Sequence, residues 1–131
     1  MAIWTFFDFV TVRGSGEITN EIHEWLNSKE VRKEAKAKIN ARIITLQGFP
    51  IFPEQYFSSY DGWDDLYELR VGYSGVEYRP FGCYGPKQKQ FTILVGSTEK
   101  GKVPKSTLKV ADDRRKVVFA DPSRIRPHDF S

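Results

Sequence analysis

The spacing of apolar residues changes character twice along the chain. Residues 3–12 are almost continuously β-branched or aromatic (Ile3, Trp4, Phe6, Phe7, Phe9, Val10), which predicts a strand apolar on both faces and therefore central or covered. Arg13-Gly14-Ser15-Gly16 breaks it. Ile18, Ile22, Trp25 and Leu26 then fall at i, i+4, i+7 and i+8, one face of a short helix over residues 17–26. Asn27-Ser28 reads as the N-cap of a second helix. That helix extends to about Gln47, with Val31, Ala35, Ile39, Ile43 and Leu46 as its apolar stripe and Gly48 as its terminator.

After residue 48 the helical period disappears. Residues 49–62 hold two prolines, which exclude a regular helix or a central strand. They also hold Phe49, Phe52, Tyr56, Phe57 and Tyr60, too many rings for a solvated loop, so the segment is expected to lie over the core. Strict alternation follows in three runs. Tyr67, Leu69, Val71 and Tyr73 alternate with Glu68 and Arg70; Val76 and Tyr78 with Glu77 and Arg79; Phe91, Ile93 and Val95 with Gln90 and Thr92. Ser74-Gly75 is the first turn and residues 82–87 the second. The pattern predicts an antiparallel meander with one apolar face on the helices and one polar face. A last helix, residues 106–119, places Leu108, Ala111, Arg115 and Val118 on one side and stops before Pro122. The expectation is one α+β domain spanning residues 1–131: a strand, two helices, an antiparallel meander and a C-terminal helix, with 122–131 a polar tail.

Composition narrows the function. With 131 residues and 40% hydrophobic content, the chain can build a core. Cys83 is its single cysteine, so neither an intrachain disulfide nor a cysteine-based zinc cluster is available, which suits a reducing cytoplasm. No stretch resembles an export leader or a transmembrane span, so a cytoplasmic protein is expected. Net charge is +3, but residues 87–126 carry 11 basic and 4 acidic side chains, net +7. That is a footprint for a polyanion or acidic partner, though on charge alone a solvated lysine-rich surface is the commoner cause.

Most candidate motifs are weak. Gly14-Ser15-Gly16 lacks the third glycine of a phosphate-binding turn, since Thr19 stands there, and reads as a strand-to-helix turn. His23 and His128, the two histidines, do not form a metal-ligand spacing, and no metal or other cofactor is expected. Cys83, in a turn without a neighbouring base, reads as a plain thiol. Arg70 and Arg79 are sharper. On adjacent strands and on the polar face, they could hold a phosphate in fixed geometry, or they could be consumed in salt bridges with Glu68 and Glu77.

These residues carry a resemblance. Leu66-Tyr-Glu-Leu-Arg70, Tyr78-Arg79, Phe91-Thr-Ile-Leu-Val95 and Lys100-Gly-Lys-Val-Pro104, followed by a helix, resemble the RelE/HigB superfamily of toxin–antitoxin toxins, in particular its phage-derived Gp49-like branch. The resemblance implies a ribosome-dependent mRNA endonuclease, silenced by a cognate antitoxin, that uses the RNA's own 2′-OH as nucleophile without a metal. It implies transition-state electrostatics for Arg70 and Arg79. Proton transfer would fall to Lys100, Lys102, a tyrosine or His128. Docking on RNA would fall to Arg32, Lys33, Lys36, Lys87, Lys89, Lys105 and Lys109. Where the family carries an aromatic and a Lys-Lys pair after the last strand, this chain has Ser97-Thr-Glu-Lys100. The superfamily also contains gyrase inhibitors, so a non-catalytic binding protein is the alternative.

Overall fold

The computed structural model describes residues 2–131. The N-terminal apolar run forms β1 (Thr5–Phe9) and continues into β2 (Thr11–Val12). β2 does not lead to a helix. It pairs with β3 (Ile18–Thr19) as a two-stranded hairpin whose tip is the Arg13–Gly16 turn. Gly16 supplies the positive φ (86°) there. Gly14-Ser15-Gly16 is thus a hairpin tip, and Ile18 is exposed rather than part of a helical stripe.

Helix α1 is consequently only Glu21–Leu26. Asn20 caps it, its side-chain oxygen accepting from the His23 N–H at 2.9 Å. Ser28 does not open the next helix. Its hydroxyl donates to the Trp25 carbonyl at 2.7 Å and closes α1 instead. Helix α2 starts at Lys33 and runs to Gln47. Ala35, Ile39, Ile43 and Leu46 are fully buried along it, as their period predicts, and Val31 is buried just ahead of it.

The remaining strands are β4 (Phe57–Ser59), β5 (Tyr67–Leu69), β6 (Val71–Tyr73), β7 (Val76–Tyr84) and β8 (Gln90–Glu99). Ser74 and Gly75 both have positive φ (54° and 80°), the two-residue geometry that suits a twisted hairpin. Helix α3 spans Lys105–Ala120, and β9 (Ile125–Pro127) follows. The main sheet runs β4-β5-β7-β8-β1-β9, with β6 also beside β7. The sheet is mixed: β5 to β8 is the expected meander, and β1 adds parallel to β8.

Two corrections bear on the site. First, residues 82–84 belong to β7 and are not a turn. The register shifts between Phe81 and Gly82, so that Phe81 faces Val95 while Gly82 faces Ile93. Leu94 is the extra residue of this bulge. It flips the alternation, and Val95 lies on the face opposite Ile93. Arg114 reaches over and donates to the Leu94 carbonyl at 2.8 Å. Second, the polar face of the meander is not open to solvent. Helices α1 and α2 cover one face, and α3 crosses the other, with Leu108, Ala111 and Val118 buried. Thr92, on β8, is buried beneath α3, and Glu68, on β5 opposite Phe81, is buried too.

The C-terminal segment is likewise no peripheral tail. β9 pairs antiparallel with β1, and His128 is buried next to it. Its Nδ1 lies 2.7 Å from Asp8 Oδ1 and its Nε2 2.9 Å from Asn40 Oδ1. Asp8 Oδ2 accepts from Asn20 Nδ2 at 3.0 Å and from the Asp129 N–H at 3.3 Å. One buried carboxylate thus joins β1, the cap of α1, the body of α2 and the end of the chain. None of the described helices is long and apolar enough to cross a membrane.

Candidate functional site

Arg70 and Arg79 are brought together as the alternation predicts, and Glu68 stands between them. Glu68 Oε1 lies 3.1 Å from Arg70 Nε, and Glu68 Oε2 lies 3.8 Å from Arg79 Nε. Both expected readings thus apply to the same atoms: the arginines converge, and a carboxylate already neutralises part of their charge. Glu77 is not the partner of Arg79. It lies opposite Glu99 on β8, and Glu99 accepts from the Ser97 hydroxyl at 2.9 Å.

Burial separates the two arginines. The Glu68 side chain is 7% exposed and Arg79 17%, while Arg70 is 54% exposed. Arg79 is a largely buried charge on a central strand. Arg70 is a mostly exposed one at the rim, where its guanidinium donates to Ser58 Oγ at 3.4 Å. The 3.8 Å contact is too long for a hydrogen bond, and Glu68 Oε2 and Arg79 Nε are both buried without a hydrogen-bond partner. Buried polar atoms in folded proteins are nearly always satisfied, and Arg115 Nε on α3 is a third exception among the described residues.

The other expected site residues separate into groups. Lys100 and Lys102 are exposed in the loop after β8. Glu99, the last residue of β8, is two positions from Ser97, which pairs with Arg79, so this loop borders the arginine pair. Lys87 and Lys89 are exposed at the β7–β8 turn, at the other end of β8. Ten extended residues span about 30 Å, so the two lysine groups do not share an end of the sheet.

Arg32, Lys33 and Lys36 belong to the α2 face, opposite Glu68. Lys36 is engaged there with Asn27 and the Ser131 carbonyl. Lys105 begins α3, and Lys109 pairs with Asp113 at 2.7 Å. His128 does not join the site. It flanks β9, three strands from β7, or about 14 Å at ordinary strand spacing, and both its ring nitrogens are occupied by Asp8 and Asn40.

Cys83 is buried beneath α3, and its thiol is pushed up to about 12, chiefly by burial, with Arg115 opposing and Asp65 adding to the shift. Among the described residues, no group of three or more His, Cys, Asp or Glu side chains could hold a metal ion. Sequence reasoning treated Glu68 only as a salt-bridge partner. It also passed over Asp8, although a carboxylate inside an otherwise apolar strand was the available signal.

A mixed sheet flanked by α1 and α2 on one side and α3 on the other, with a cation–carboxylate cluster at β5 and β7, defines a small α+β protein. Residues 24–116 match the family model described as phage derived protein Gp49-like (DUF891), and the chain belongs to that family, a RelE/HigB-like toxin family. Comparison with curated proteins and with solved structures gave no match.

Proposed function

We propose that the chain is the toxin of a type II toxin–antitoxin module and acts as a metal-independent, ribosome-dependent mRNA endonuclease in the cytoplasm, held silent by a cognate antitoxin. Family membership supports the toxin part of this reading. The observation that carries the chemistry is the convergence of Arg79 and Arg70 on a buried carboxylate with unused hydrogen-bonding atoms.

In such a cleavage the 2′-oxygen bonds to the adjacent phosphorus and the bond from phosphorus to the 5′-oxygen breaks. The phosphorane carries extra negative charge, which Arg79 and Arg70 would offset. Arginine stays protonated and cannot serve as the base. Glu68, in contact with both, would hold the arginines in place, and Lys100 and Lys102 would take the 2′-hydroxyl proton and return one to the leaving oxygen. The ribosome would hold the mRNA in line for attack.

A second reading has one observation in its favour. Glu68 already neutralises the arginines, as it would in a binding protein that poisons a target without cutting RNA. Induction in a bacterium, with primer extension on an abundant mRNA, separates the two. Growth arrest with new, codon-phased 5′ ends that vanish in Arg79→Ala supports the nuclease. Arrest with intact mRNA supports the binding protein, and cleavage that persists in the Arg70→Ala/Arg79→Ala double variant refutes the site.

A further inference from the structure

The face of the sheet opposite Glu68 carries a feature that the charge cluster does not explain. Seven aromatic rings meet there: Trp4, Phe6, Phe52, Phe57, Tyr67, Tyr84 and Phe91. The phenylalanines Phe6, Phe52, Phe57 and Phe91 are buried and form the floor. Trp4, Tyr67 and Tyr84 are only half-buried and keep part of their surfaces in solvent. Tyr84 is the shared wall of two clefts. One, of about 340 Å³, runs from Trp4 along the β7–β8 turn with Lys87 and Lys89. The other, of about 450 Å³, lies between Tyr84 and Tyr67 and reaches Glu54, Ser58 and Ser59 at the edge strand β4. Both fall in the range of about 300–1,000 Å³ common for small-ligand sites.

We infer that these two clefts form a stacking site for the bases of single-stranded RNA, with one base in each cleft beside Tyr84 and Lys87 and Lys89 on the phosphates. The inference rests on the RNA-substrate reading above and adds to it a binding surface separate from the cutting residues. Three observations support this occupant. Half-exposed aromatic faces beside lysines are the combination that holds single strands, because every base has a π-face and every linkage a charge. Lys89 adopts a positive φ (60°), a conformation that non-glycine residues seldom take outside constrained or functional places, and its ammonium sits 5.0 Å from the centre of the Trp4 ring.

The third observation is continuity. The second cleft ends at Ser58, and the Ser58 hydroxyl is the group Arg70 contacts across the edge of the sheet. A strand seated on Tyr84 that passes over β4 arrives at Arg70 and Glu68. Burial raises the Tyr84 phenol above its ordinary value, with Tyr67 adding to the effect, so the wall stays uncharged toward phosphate.

Fluorescence anisotropy with a short 2′-O-methyl oligouridylate, which has no free nucleophile and cannot be cut, tests this on the whole chain. A strand of the same length with abasic positions serves as comparison. The expected result is base-dependent binding, the abasic strand weaker by about 5- to 150-fold per stacked base. Lys87→Glu/Lys89→Glu, both exposed, should abolish binding. Tyr84→Phe should preserve it, and Tyr84→Leu should remove the base preference. Equal affinity for the abasic strand, or binding untouched by the double lysine variant, would overturn the proposal. Ribosome-dependent cleavage is scored separately. Its absence alongside base-dependent binding counts against the nuclease reading alone, and its presence alongside base-independent binding counts against the stacking site alone.

Discussion

His128 and Asp8, 120 positions apart in sequence, meet as a fully buried pair with Nδ1 and Oδ1 2.7 Å apart. The Asn40 amide donates to the Phe130 carbonyl at 3.2 Å, which turns its oxygen toward His128 Nε2. Both ring nitrogens therefore face acceptors, and the end of the chain is latched to β1 and α2 through one imidazole. Breaking a buried pair leaves the surviving partner desolvated, at a typical cost of about 3–5 kcal/mol. Asp8→Ala and His128→Ala should each lower the unfolding free energy read from urea titration by an amount of that order. The double variant should fall well short of the sum of the two, and full additivity would mean the pair does not act as a unit.

The same latch makes a negative prediction about chemistry. His128→Gln, assayed below its melting transition, should retain RNA cleavage within a few-fold, since the ring lies about 14 Å from β7. A loss comparable to that of Arg79→Ala would return His128 to the catalytic set.

The two arginines should not be equivalent. Removal of one preorganised charge donor typically costs about 10²–10³-fold in rate. Arg79, fixed on a central strand, should show a loss of that size on replacement by Ala or Lys. Arg70 is mostly exposed, and Arg70→Lys should keep a measurable fraction of its activity. Glu68→Gln preserves the shape of the cluster and removes its charge. It should cost stability, because Arg79 loses its counter-charge, and on folded protein it should tighten phosphate-dependent RNA binding and lower cleavage, read by anisotropy and primer extension on the same preparation.

Gly96 is pressed flat under Trp25. A Cβ at this position would lie 2.1 Å from Trp25 Cε3, and the indole N–H is tied to Thr98 Oγ1 at 3.0 Å, so the ring has little freedom to retreat. Gly96→Ala should destabilise by about 1–3 kcal/mol or more, measured by chemical denaturation. An unchanged midpoint would show that α1 can shift on the sheet.

Cys83 should resist alkylation by iodoacetamide at pH 8 in the folded protein and react readily in urea. With its thiol pushed up to about 12, the thiolate is about one part in ten thousand at that pH. Because the folded value lies above the ordinary 9.0, the corresponding stability is complete below pH 9 and is lost progressively as pH rises toward 12. A Cys83→Ala variant should show a flatter stability profile across that window.

Sequence patterning carried the local elements well where one face decided them. The α2 stripe of Ala35, Ile39, Ile43 and Leu46 is buried as its period requires, and Ser74-Gly75 turns as its φ freedom allows. It failed where a neighbour distant in sequence decided. Ile18 has the helical spacing, yet its backbone pairs with Val12 across a hairpin. Val95 has the strand spacing, yet the Leu94 bulge turns it over, with the Leu94 carbonyl held by Arg114 from α3.

The site divides along the same line. Strand alternation alone puts Glu68, Arg70 and Arg79 on one face, because side chains in a strand repeat every two residues. The sequence also determined the α+β class and the family. The tertiary structure decided that this face lies under α3, that Glu68 is buried between the arginines, that His128 is a latch, and that Trp4, Tyr67 and Tyr84 share one surface with Lys87 and Lys89. Burial and convergence depend on which elements pack against which. That arrangement comes from the summed fit of the whole chain rather than from any period within a segment.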